Sequence, residues 1–209
     1  MIDNTNIGNV GEKQVTQLRE ERRGGAKAGS GRLLSYALLP VALAALILTR
    51  AAEADIFLLL QQMLILILGY IAAVYDLFER RVPNKLILIM IAAWVLMITP
   101  KLFLDTDAAL LLLKDSAIGF ATGGGLFMFM YLVSHKGVGG GDVKFMAGAG
   151  LYLGFSAIMP SMLYGTILAA LTALILIAVK KITRKDKIPL IPFLYAGILL
   201  TLFFQEVSR

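Results

Sequence analysis

Two of the fourteen acidic residues are placed differently from the rest. Asp76 follows directly on the apolar run 56–75, and Asp142 closes the glycine-crowded stretch Gly137-Val138-Gly139-Gly140-Gly141-Asp142-Val143-Lys144. Ionisable groups at or in membrane spans are costly and by default functional. Brought together, two carboxylates can hydrolyse a peptide bond: one accepts a proton from water while the other, as the acid, polarises the carbonyl. Neighbouring carboxylates do not both ionise easily, so such a pair shares one proton. Gly139, Gly140 and Gly141 would let the backbone approach an extended substrate and reach φ > 0 without a steric penalty. Lys144, two residues after Asp142, has two readings, a charge that tunes this carboxylate or a marker of the membrane surface. Asp76 alone also reads as an ordinary helix-end carboxylate; the pair with its glycines is harder to explain that way. The two aspartates are 66 positions apart, so the fold has to unite them.

The elements that would do so are membrane helices. Hydrophobic residues make up 58% of the 209, and the mean hydropathy is +0.80. The apolar residues gather into runs near the roughly 20 residues that cross a bilayer core as helix. Lipid admits only helices or closed barrels, and continuous rather than alternating apolar runs favour helix. The runs are 33–49, 56–75, 86 to beyond 99, 116–134, 145–159, 161–179 and 188–204, of which the short 145–159 reads either as a full span or as a partly re-entrant one. The expected fold is therefore all-α, a polytopic bundle of about seven transmembrane helices. Residues 1–32 read as a disordered basic arm, 33–49 as an extra N-terminal helix, and 56–204 as the membrane domain. With the N-terminus in the cytoplasm, alternate loops collect 16 of the 20 Lys and Arg on the cytoplasmic side, against four outside. That asymmetry follows the positive-inside rule. It places both aspartates at the cytoplasmic face of a multi-pass plasma-membrane protein. A second reading of the start is a cleaved signal peptide ending at Ala52-Glu53-Ala54.

Composition removes several chemistries. The chain has no cysteine, so disulfides, thiol nucleophiles and Cys-based zinc sites are excluded. The single histidine, His135, builds no His cluster, and no HExxH motif is present. The net charge of +6 is carried by loop cations that set topology and meet anionic lipid. No nucleic-acid partner is expected.

Three segments, in order and at matching spacing, resemble the type IV prepilin peptidases, membrane aspartyl proteases of the GxGD class. Tyr75-Asp76-Leu77 with Arg81-Val82-Pro83-Asn84 is similar to the family's first-aspartate segment. Gly139-Gly140-Gly141-Asp142-Val143-Lys144 is similar to its second, and Ile188-Pro189-Leu190-Ile191-Pro192-Phe193 to the Pro-rich opening of its last helix. The resemblance, over about residues 56–204, implies an endopeptidase that removes short basic leaders from prepilin-like proteins in pilus or type II-like secretion assembly. Asp76 and Asp142 would be its catalytic dyad, with no metal or organic cofactor. Longer members carry a Cys-rich zinc insert associated with N-methylation. Only residues 50–55 separate the first two runs here, so the chain resembles the short, peptidase-only forms. Signal-peptide-peptidase and presenilin-type enzymes share Tyr-Asp and GxGD, but no PAL segment closes this chain. Two other readings remain: a transporter binding protons or cations at Asp76 and Asp142, and a non-catalytic pilus-assembly protein.

Overall fold

The computed structural model describes residues 56–134, 137–180 and 188–207, and every regular element among them is an α-helix. Helix α1 is Ile56–Glu79, α2 is Asn84–Leu104, α3 is Thr106–Val133, α4 is Gly140–Ala178 and α5 is Ile191–Val207. The run 33–49 and the arm before it lie outside the described residues. So do His135 and the basic cluster at 181–187.

Four of these helices, α1 to α4, are long and apolar enough to cross a membrane; α5 is a shorter apolar helix. Their outer faces carry large apolar side chains such as Leu88, Leu96, Phe103, Leu111, Phe129 and Leu174, all exposed. An apolar surface of that extent suits hydrocarbon rather than water. A smaller set is sealed inside, with Ile65, Phe127, Phe145, Met146, Ile158, Leu194 and Ile198 wholly buried in one cluster.

The expected division into spans needs two corrections. First, the third and fourth runs are nearly continuous. Helix α2 passes through Pro100 to Leu104, and α3 begins at Thr106, ten residues before the expected start at 116. Asp105 alone joins them, its side chain accepting the Ala108 N–H at 3.1 Å as an N-cap. Charges at Lys101, Asp107, Lys114 and Asp115 had made this stretch look like a loop.

Second, the fifth and sixth runs share the helix α4, broken at Gly154 rather than near Pro160. Gly154 has φ 65° and ψ −177°, within an otherwise helical segment. This left-handed φ suits glycine. The two arms lie side by side: a Cβ added at Gly123 of α3 would meet both Met146 of the first arm and Ile158 of the second. The chain therefore turns back at Gly154. Residues 140–153 rise only about 21 Å as helix, less than the ~30 Å hydrocarbon core.

Small residues let these pieces approach. Gly119 of α3 packs backbone to backbone on Gly150, so that a Cβ on either would collide with the other's main chain. Gly197 of α5 meets Ser161 and Gly165 of the second arm in the same way. Such seams are how membrane helices pack closely when water exclusion offers little drive between them.

Candidate active site

Helix α1 delivers Asp76 in its last turn, 7% exposed. The helix closes just beyond, where the Arg80 N–H donates to the Asp76 carbonyl at 3.0 Å with Arg80 at φ 51°. The chain then runs through Val82 to Pro83, the N-cap residue of α2. Helix α4 delivers Asp142 in its first turn, 8% exposed. Gly139 precedes that helix in extended conformation, and its N–H donates to Asp142 Oδ2 at 2.8 Å. Asp142 thereby ties down the helix start that presents it.

The third element is α5. Its leading N–H, from Ile191, donates to Asp76 Oδ2 at 3.1 Å. Asp76 thus sits between the C-terminal end of its own helix and the N-terminal end of another. Sequence reasoning singled out residues 188–193 as a motif but assigned them no contact with an aspartate.

Asp76 and Asp142 line the same cavity, of about 150 Å³. Arg80, Gly139 and the non-helical residues Ile188, Pro189 and Leu190 complete much of its wall. The three motif segments also touch outside it. Gly141 packs on Val82, where an added Cβ would lie 3.4 Å from the valine side chain. Lys144 Nζ donates to Asn84 Oδ1 at 2.9 Å, joining the start of α4 to the start of α2.

The expected glycine roles divide. Gly139 lines the cavity, and Gly140 has open space where a side chain would project. None of Gly139, Gly140 and Gly141 takes a positive φ; among the described glycines only Gly154 does. Of these three, an added Cβ would press on its surroundings only at Gly139, 3.1 Å from Asp142 Oδ2. Lys144 is exposed, bonded to Asn84, and not part of the cavity wall.

A second polar cavity, about 190 Å³, lies toward the opposite end of α1, beside Gln61, Gln62, Asp115 and Tyr152. From Gln62 to Asp76 the helix rises about 21 Å. Asp115 Oδ1 there accepts the Phe155 N–H at 3.1 Å, capping the second arm of α4 at the Gly154 break. Gln61 donates to the Tyr152 carbonyl, and the Tyr152 hydroxyl donates to the Met90 carbonyl at 2.6 Å. Among the described residues, no three His, Cys, Asp or Glu gather as a metal site.

What the site can do chemically follows from its parts. Two largely buried carboxylates from different helices border one space, each held by a backbone N–H, with a cation at the wall. That arrangement fits acid–base chemistry on a bound water.

The chain is similar to the prepilin leader peptidase/N-methyltransferase of Bacillus subtilis (strain 168), 25% identical over 137 residues. The match covers 65% of this chain and 52% of that protein, so the chain spans about half the length of the relative. No solved structure matches. Residues 63–177 match the type IV leader peptidase family, a stretch that includes both aspartates and ends before Ile188. With more than half its length in that match, the chain belongs to the type IV leader peptidase family.

Proposed function

We propose that this chain is a membrane aspartic endopeptidase that removes the leader from prepilin-like proteins, with Asp76 and Asp142 as its catalytic pair. The observation that carries the proposal is the shared cavity, into which α1 and α4 bring one carboxylate each. Family membership and the named activity of the Bacillus subtilis relative support the substrate class.

In this reading the peptide enters extended over Gly139 and Gly140, with a water between the carboxylates. The ionised aspartate takes a proton from the water as its oxygen attacks the carbonyl carbon. The protonated aspartate donates to the carbonyl oxygen, and proton return to the amide nitrogen lets the C–N bond break. Ile191 and Gly139 keep the two carboxyl groups oriented through their N–H bonds. Orientation of this kind lowers the barrier because the reacting groups need not be reorganised.

We place the active face in the cytoplasm, from the loop charges, and the pathway in pilus or type II-like secretion assembly. Prepilin-like substrates and anionic lipid are the proposed partners. Mass spectrometry of the trimmed product would show whether its new N-terminus is also methylated.

The test is co-expression with a small pilin-like precursor, comparing wild type with Asp76→Asn and Asp142→Asn. Wild type should shorten the precursor and both variants should leave it intact. Unchanged leader removal in either variant would overturn the assignment of the pair.

A further inference from the structure

Arg80 occupies a backbone position that favours glycine. Its φ of 51° lies in the left-handed region, where a side chain is penalised, and helices that close in this way usually do so with Gly or Asn. Lys180, at φ 56°, follows α4 in the same manner. A cation beside the negative end of a helix is therefore sufficient reason for one such residue. Arg80 differs from Lys180 in its surroundings: it lines the cavity that holds Asp76 and Asp142.

Several other backbone donors at that cavity are already engaged. The Gly139 N–H goes to Asp142, the Ile191 N–H to Asp76 and the Gly137 N–H to the Ser134 carbonyl. Pro189 has no N–H. Among the described residues of the wall, Arg80 carries the only cationic side chain. An extended peptide brings oxygen acceptors into this space, and a guanidinium offers five N–H donors in a planar fork suited to them.

We infer that Arg80 is a substrate-binding residue, its guanidinium taking an oxygen acceptor of the bound peptide beside the bond that Asp76 and Asp142 cut. This rests on the peptidase reading above. The acceptor is a main-chain carbonyl or a side-chain carboxylate, and Arg80 selects the register in which the peptide lies.

The experiment measures cleavage kinetics of a purified pilin-like precursor by the full-length chain in detergent, comparing wild type with Arg80→Gly, Arg80→Gln and Arg80→Lys. Glycine suits the backbone, so Arg80→Gly should unfold at the wild-type temperature or above it. Its kcat/KM should fall roughly 10- to 100-fold, the range for losing one hydrogen bond to a charged group, mainly through KM. Arg80→Gln should fall likewise, and Arg80→Lys should retain part of the binding. A precursor with its acidic residues near the cut changed to amides separates the two acceptors. Against it, the Arg80→Gly defect persists if the acceptor is a carbonyl and disappears if it is a carboxylate. A loss confined to kcat, or no loss in a folded Arg80→Gly protein, would overturn the inference while leaving the peptidase reading intact. Failure of the wild type to cleave would overturn both.

Discussion

The two polar ends of the bundle use the same local device to different effect. Near Gly154, Asp115 accepts the first free N–H of a helix arm and is packed so closely that no side chain fits at residue 154. At the other end, Asp76 accepts the first N–H of α5, and Asp142 accepts the N–H of Gly139. A carboxylate at a helix start is therefore not in itself a sign of chemistry. Asp115 stands alone among amide and hydroxyl neighbours and holds a turn in place. Asp76 and Asp142 are two, from separate helices, beside a shared space. Multiplicity and room distinguish the proposed active end from the structural one.

That contrast orders the expected effects of mutation. The largest belongs to Asp76→Asn and Asp142→Asn, each expected to lower precursor cleavage by roughly a thousandfold or more, since acid–base groups contribute about 10²–10⁴-fold each. Asp115→Ala should instead remain active and lose stability, which a joint assay of cleavage and thermal unfolding would separate. If Asp115→Ala abolished cleavage in a folded protein, the contrast between the two ends would fail.

Next comes Gly154→Ala. An alanine at φ 65° and ψ −177° costs about 1–3 kcal/mol, and collision with Asp115 adds the ~1–3 kcal/mol typical of overpacking. Unfolding in detergent should show a loss of about 2–6 kcal/mol. Gly119→Ala should cost about 1–3 kcal/mol by overpacking alone. Gly125→Ala, on the same helix with open space around it, should be neutral or slightly stabilising. Equal effects at 119 and 125 would show that the seam between α3 and α4 is looser than described.

Asp115→Ala should lose about 1 kcal/mol, the usual effect of removing a helix cap. The smallest effect is expected at Lys144, whose exposed bond to Asn84 should contribute less than about 1 kcal/mol. Lys144→Ala also tests whether that charge tunes Asp142: a large fall in cleavage rate with unchanged stability would show that it does.

The end that holds Asp76 and Asp142 was more legible in the sequence than the one that holds Asp115. Its three segments could be read because each breaks an apolar run with residues lipid does not favour: an aspartate, a glycine cluster and a pair of prolines. Their convergence, through Val82 on Gly141, Asn84 on Lys144 and Ile191 on Asp76, depends on tertiary packing that no local pattern records. The structural end was misread because hydropathy counts charges without their partners. The stretch before residue 116 looked like a loop, yet Asp115 lies inside α3 and caps an arm of α4, and only Asp105, which caps α3, lies between helices. Gly154 is one of several glycines in its region, and nothing local marks it as the one that turns the chain.

The central claim, that Asp76 and Asp142 form one site, can be tested in a chain that contains no cysteine. Asp76→Cys and Asp142→Cys introduced together should be joined within one molecule by a short bifunctional thiol reagent, seen as a single added bridge in the intact mass. The pair Asp115→Cys and Asp142→Cys should not be joined by the same reagent. If both thiols at 76 and 142 reacted separately in folded protein and no bridge formed, the two aspartates would not share a site.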